Sequence, residues 1–579
     1  MTRSPRGAAR LGRRRTVLVL VVVLGACQGS LGPDAPFRPG ERPGAPPDDD
    51  EPLRQLPSAG ACAARGPTVG PTVLRRLTLT EVGETLRAEL GVDVPDLLAE
   101  LPPDARAEGF TNNASTLIVP LEVAEGLMEM ARVAVERIDP AAVVARFASC
   151  RDLSDDCARE VARTVGERLL RSPLSPEQVE RYAALFAVVR DEGDGFPVAA
   201  GLVLEALLQA PQLVYRIESE PLGDAEPRAV SARELATRLA YTLWGAPPDE
   251  DLLHAAAAGA LADAAQIEAH AVRMLADPRA REVSRAFFRD WFHLGSLEGH
   301  DLSDDRYPDF DRELARAMAE ETLRFFDDLA WTTPAPLRTM LTAEHTFLNP
   351  RLAAVYGVPF DGSGWQEVDL SGVPERRGIL THASLLTVHA QRAEPSIVGR
   401  GLFLLHDVFC DSVEPPPPTV DAAPPEVATG ASQREASEVR IANPVCGECH
   451  GRFDPLGHAF ERYDAAGRHR TADPHGNALR QDGLFPAEGG GGGGGAMPYR
   501  DLDRFLELSE ASPRAQACIA HKALQFAWGR PLTEVDGCSV VEVRDDYEAR
   551  GGRYQDLVLA VVTHPTFRAI APSASEGTP

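Results

Sequence analysis

Several chemistries are excluded by what the chain does not contain. It has no nucleophile elbow, no phosphate-binding loop and no dinucleotide fingerprint. Positive charge is in deficit: 59 basic residues face 86 acidic ones, for a formal net charge of −27 over 579 residues. That balance argues against a nucleic-acid partner, because phosphate binding needs a basic face. Strand signals are few. Long apolar runs are missing too, and the one candidate, Thr16 to Ala26 (TVLVLVVVLGA), is too short to span a bilayer as a stable helix. There is a single Cys-x-x-Cys pair and no second. A structural zinc site, which usually takes two such pairs, is therefore left short of ligands.

The short apolar run follows a strongly basic start (TRSPRGAARLGRRR) and reads as the core of a signal peptide. It ends in Leu24-Gly25-Ala26-Cys27, which resembles a bacterial lipobox. The expectation is cleavage before Cys27, lipid on that cysteine and anchorage at a membrane face of the cell envelope. A plain secretory signal with an incidental cysteine is the alternative. Gln28 lacks the acidic character associated with inner-membrane retention. Residues 28–71 are rich in Pro, Gly and Asp, cannot bury a core, and form a tether.

Export changes how the nine cysteines are read. With Cys27, Cys446 and Cys449 set aside, an even remainder suggests disulfides. Nearness in sequence favours Cys150 with Cys157 and Cys518 with Cys538, leaving Cys62 with Cys410 by elimination.

Hydrophobic residues make up 44% of the chain, enough for a substantial core, and from Thr72 onward the pattern is helical. Ser175, Pro176 and Gln178 have the grammar of a capped helix start, followed by Val179, Tyr182, Phe186 and Val189 on one face. Ser231 and Glu234 repeat the capping box ahead of Leu235, Leu239 and Leu243, with Gly245 as the stop. Leu314, Met318, Phe325 and Leu329 form a third stripe. The segments WQEVDLSG and RHRTADPHGNALRQDGLF are candidate hairpins, and the glycine run 489–495 is a flexible loop.

The chemistry concentrates in NPVCGECHGRFDPLGHAFERYD, from Asn443 to Asp464. A c-type haem is attached by two thioethers from one short turn, with the next histidine reaching the iron, which accounts for the order Cys446-x-x-Cys449-His450. Such attachment occurs outside the cytoplasm, in agreement with the leader. Two other readings stay open. One is zinc, with His458, His469 or His475 supplying ligands; the other is a plain Cys446–Cys449 disulfide. For a sixth iron position the candidates are Met497, the only methionine after His450, and His389, which shares a helical face with His382 and Leu386. Asp454, Glu461 and Asp464 are expected to start turns, cap or pair.

The order of segments resembles a known architecture. RRLTLTEVGETLRAELG with GFTNNAS, SPEQVERYAALF with GLVLEALLQAPQLVYRIE, ARELATRLAYTLWG with TAEHTFLNPRLAAVYGV, RRGILTHASLLTVHAQRAEPSIVGRGLFLLHDVFC with CGECHGRFDPLGHAFERYD, and CIAHKALQFAWGRPL with VVTHPTFR follow one another. This series is similar to exported cytochrome-c-like proteins of planctomycetes and myxobacteria, built of domains of unknown function 1587, 1595, 1592, 1588 and 1585. The resemblance implies helical units over 72–138, 147–219, 229–360, 374–472 (carrying Cys-x-x-Cys-His) and 500–572, with a Gly-rich loop over 473–499. It supports covalent haem on Cys446, Cys449 and His450, and it supplies no substrate. That family places an aromatic residue after DPLG; here His458 would bring a further nitrogen near the motif.

The expected molecule is mainly α, a multi-domain helical lipoprotein with a cytochrome-c-like segment and small β-hairpins. Its expected role is electron transfer, or haem-dependent oxidoreduction with an unidentified redox partner. The competing role is a non-enzymatic envelope scaffold or polymer-binding protein.

Overall fold

In the computed structural model, described over residues 56–65, 68–218, 227–413, 423, 425–486 and 496–571, the chain is mainly helical. The signal segment, Cys27 and the glycine run 489–495 lie outside the described residues. The helix starts follow the local code. Ser175 and Ser231 each accept the N–H of the third helical residue, and Gln178 and Glu234 reach back to the cap N–H. Gly245 closes Ala232–Trp244 in the left-handed conformation. Leu314, Met318, Phe325 and Leu329 are all buried along Arg312–Asp327 and the wider turn after it.

Apolar packing follows two cores. The first is built by Leu79–Leu90, Leu121–Glu136, Asp155–Leu169, Pro176–Glu192 and Phe196–Leu208. The second, apart from Phe110, runs from Val230 to Ile570 and gathers most of the later helices, while Ala59–Arg65 packs separately through Cys62 with Cys538 and Val541. Each core borrows a ring from the other's stretch of chain. Tyr241 packs in the first, where its hydroxyl meets Thr85 Oγ1 at 2.8 Å, and Phe110 packs in the second against Phe287 and Phe526.

Strands occur only as two-stranded antiparallel pairs among the described residues. Gln366–Asp369, within WQEVDLSG, pairs with the distant His345–Leu348 across an intervening helix instead of folding on itself. In the second expected hairpin, Ala472 and Ala478 form a bridge, while Gly483–Phe485 pairs with Met497–Tyr499.

The helix bearing the Cys-x-x-Cys-His motif, Gly447–Gly457, is crossed by Ile397–Phe403. Two glycines permit the crossing. A Cβ on Gly401 would lie 2.1 Å from the Phe453 carbonyl oxygen, and one on Gly457 2.1 Å from that of Ile397. Arg400, on the crossing helix, then donates to the carbonyls of Leu386, Phe460, Tyr463 and Asp464, tying the end of the motif helix to Ala383–Val388.

The disulfides are Cys62–Cys538, Cys150–Cys157 and Cys410–Cys518. The local pair is as expected. The Cys518–Cys538 and Cys62–Cys410 assignments are corrected, because Cys518 and Cys538 sit on successive helices with different neighbours. Cys518, within Pro513–Trp528, faces the Asp407–Cys410 turn; Cys538, at the start of Gly537–Arg550, faces the N-terminal helix Ala59–Arg65. Peptide mapping without reduction should recover Cys62 linked to Cys538 across 476 residues. Cys62→Ala should cost about 2–5 kcal/mol in denaturant unfolding. Recovery of a Cys518–Cys538 peptide would contradict this topology.

Candidate functional site

The motif helix starts on Asn443, whose side-chain oxygen accepts the N–H groups of Val445 (2.9 Å) and Cys446 (3.2 Å). Cys446 is the cap and Cys449 lies three residues on, so both sulfurs share one helix face. Both are free thiols and partly exposed; the other six described cysteines are bonded. Cys449 packs against the second core.

The next residue, His450, is held by a buried carboxylate one turn further on. Its Nδ1 lies 3.0 Å from Asp454 Oδ1, and Asp454 is fully buried while the His450 side chain keeps 26% of its surface. The second carboxylate oxygen accepts from Ser437 Oγ at 2.7 Å and from Arg440 at 3.0 Å. Ser437 Oγ also meets His458 Nε2 at 2.9 Å. Proton counting fixes the directions. The serine has one hydrogen and gives it to the carboxylate, so His458 must donate through Nε2–H. Asp454, paired with Arg440, acts as acceptor, so His450 carries a proton on Nδ1, and Nε2 makes no hydrogen bond among the described residues. Burial, reinforced by Arg434, pushes His458 down to about 3, so it is a neutral donor. The nitrogen after DPLG therefore supports Asp454 from behind.

Two free thiols on one face and an imidazole with Nε2 open are the donor set that covalent haem requires, and the residues fit it. The histidines named for a zinc site have other neighbours. His469 Nε2 lies 3.0 Å from Glu375, His475 sits in an exposed turn around Asp473, and no cluster of three metal-binding side chains occurs among the described residues. Asp464 accepts the N–H groups of Ala466 and Arg468, Glu461 is buried and accepts that of Arg480, and both act structurally. Met497 lies on the strand Met497–Tyr499 and is 38% exposed.

His389 is drawn into a second centre that sequence reasoning missed. Its ring stacks on Phe403 at 4.2 Å and lies 5.6 Å from that of His293. His293 Nε2 lies 3.4 Å from Asp407 Oδ2, and Lys522 Nζ donates to Asp407 Oδ1 at 2.8 Å. Buried Asp407 is held far below the usual carboxylate range by Lys522 and His293, against the opposing effect of burial. Asp407 rides on the wide turn Leu404–Val408, against which the motif helix packs. Strained backbone collects around it: His293 and Cys410 have φ of 57° and 46°, and Gly109, beside Glu108 at 52°, faces Asp407 and His293. Non-glycine residues in that region mark over-determined, often functional, places. One sequence signal was available: Lys522 is the only lysine in the chain.

Comparison with known families gives five matches in series, each described as a protein of unknown function. They are DUF1587 over residues 75–140, DUF1595 over 157–218, DUF1592 over 230–358, DUF1588 over 376–473 and DUF1585 over 499–567. The DUF1588 match contains the motif helix, His389 and Asp407. His293 and Lys522 come from the matches on either side, so the Asp407 centre is assembled across domains. No curated protein and no solved structure matches the chain.

Two outcomes test these networks. Lys522→Met should destabilise by about 3–5 kcal/mol by leaving a buried carboxylate unpaired, with much of the loss recovered in Lys522→Met/Asp407→Asn; chemical denaturation reads both. His382 and His458, both buried, are pushed down to about 3 by burial, while the unfolded chain takes up those protons near about 6.5. Their contribution is full above that pH and is lost as pH falls toward 3, by up to about 1.4 kcal/mol per pH unit each. Glu321, raised to about 7 by burial, works in the opposite direction, its contribution falling as pH rises toward 7. Going from pH 7 to pH 5 should therefore cost less unfolding free energy in a His382→Gln/His458→Gln variant than in the parent, with the Glu321 effect able to reverse the sign.

Proposed function

Because the chain belongs to the family in which domains 1587, 1595, 1592, 1588 and 1585 follow in series, we propose that it is a haem c protein of the cell envelope, acting in electron transfer or haem-dependent oxidoreduction. The observation that carries this reading is the His450–Asp454 contact, which commits Nδ1 and leaves Nε2 as the free ligand atom, beside two unpaired thiols. Cys446 and Cys449 would hold the haem through thioethers and His450 would ligate its iron. When bound, the haem supplies a one-electron change at iron. The protein's part is to orient and polarise the imidazole. Asp454 makes it a stronger donor, and Ser437, Arg440 and His458 keep the carboxylate in place. Three disulfides agree with an oxidising compartment, and Cys27 would carry the lipid anchor.

The test is the full chain, exported with the cytochrome c maturation machinery and examined by haem stain after denaturation and by oxidised and reduced absorbance. Covalent haem that changes spectrum on reduction is expected. Cys446→Ala/Cys449→Ala should lose the stain. Asp454→Asn should keep the stain while raising the reduction potential. Variants of His389 and Met497 assign the sixth position by their spectra. Absence of covalent haem in the matured protein would hand the segment to the scaffold reading.

A further inference from the structure

An open recess of about 40 Å³ lies where separate parts of the chain meet. Its wall is the segment 69–73, Arg216, Glu218, Arg238, Trp528, Arg530 and residues near Phe567. The segment 69–73 runs close over the floor: a Cβ on Gly70 would come within 2.3 Å of Arg530 Nη2 and Asp536 Oδ1. The enclosure is thus built by residues from the first segment, both cores and the last helices.

Among the described residues its charges do not balance. Arg75 is spent on Glu81 through two bonds of 2.8 Å, Arg530 on Asp536 at 2.7 and 2.9 Å, and Arg238 on both oxygens of Glu218 at 2.5 Å. Arg216 is left over. Its only ion pair among the described residues is an Nε contact of 3.5 Å with Glu218, a carboxylate already fully engaged. Four guanidinium groups therefore share three carboxylates. The surplus group is not at the surface, for the Arg216 side chain is only 9% exposed. Its backbone position makes matters worse, because Arg216 stands directly opposite Arg75 in the antiparallel pair Arg75–Arg76 with Tyr215–Arg216. Like charges in direct cross-strand register are unfavourable, and an uncompensated buried charge is costly. Burial and the neighbouring Arg75 push the Arg216 guanidinium down to about 10, against the pull of Glu218. Such a conflict among local choices marks a functional position.

We infer that this recess binds an organic monocarboxylate, with the Arg216 guanidinium as the group that receives it. The surplus among the described residues is one positive charge, so a monoanion is matched, whereas a phosphate dianion would meet Glu218 and Asp536 with charge to spare. A guanidinium edge suits a planar carboxylate in two-point contact. The remaining wall (Val69, Pro71, Val73, Trp528 and Phe567) is apolar or aromatic and calls for an organic body on the acid. The chemistry recognised is the same whether the acid is free or borne on a polymer. This inference stands independently of the haem reading.

Equilibrium titration of the purified full chain with lactate, benzoate and glucuronate, at constant ionic strength, tests it. The neutral partners are lactamide, benzamide and glucose, and inorganic phosphate is a further control. At least one acid should bind saturably, its neutral partner should not, and Arg216→Gln should weaken binding at least tenfold. Oligogalacturonate beside galacturonate distinguishes a polymer-borne acid from a free one. Should Arg216→Gln fold poorly, modification of wild-type Arg216 by phenylglyoxal, followed by peptide mass, replaces it, with slowing by the bound acid expected. No acid binding, equal binding by the Arg216→Gln variant, modification unaffected by acid, or tighter binding of phosphate would each overturn the assignment.

Discussion

Everything around the Cys-x-x-Cys-His helix depends on one fully buried carboxylate. Asp454 has no contact with solvent, so its charge survives only if donors surround it. Three supply that: His450 one turn back on the same helix, and Ser437 and Arg440 from the helix Gln433–Ala442. Because Ser437 and Arg440 are three residues apart, they face Asp454 together, and the two helices are locked in register. The glycine crossing at Gly401 and Gly457 then lets a third helix close over this pair. The histidine's open nitrogen is thus a consequence of packing: the orientation of one ring is set by where a buried negative charge can be tolerated.

The same principle separates what was legible in the sequence from what was not. Capping boxes at Ser175 and Ser231, the stop at Gly245 and the stripe through Leu314, Met318 and Phe325 are local grammar, written within a few residues. The motif, and the possibility that His458 adds a nitrogen, were likewise visible. The role of that nitrogen was not, since it acts through Ser437, 21 residues away in a different helix. Disulfide partners failed for a related reason. Cys538 meets Cys62 and Cys518 meets Cys410 because two successive helices face different neighbours, which nearness in sequence does not encode. The strand Gln366–Asp369 was readable as a strand, but its partner lies beyond a helix.

The series of five matched domains is also not a series of five independent bodies. Tyr241 belongs to the first core and Phe110 to the second, so each core is completed by a residue from the other's stretch of chain. Cys62–Cys538 closes nearly the whole described chain into one loop. Both the Asp407 centre and the Arg216 recess draw on residues from several matched segments. Sites of this kind exist only when the assembly is complete, which explains why neither carries a compact sequence motif.

The choice of cation follows the same logic. Of 59 basic residues only one is lysine. Buried arginines do work that needs several aligned donors: Arg400 serves four carbonyls, Arg376 joins Thr381 to Gly467, and Arg238 grips Glu218 while also reaching Phe567 and Ala569. A planar fork satisfies many acceptors from one fixed orientation, which a lysine cannot do. Asp407 presents the opposite requirement. One oxygen faces His293 and the other needs a compact point charge from a helix that is already closely packed. A guanidinium there would bring donors with no acceptors to meet them, and buried donors left unmet are costly. The lone lysine is therefore where the geometry leaves room for a single ammonium, and it pins the turn against which the motif helix rests.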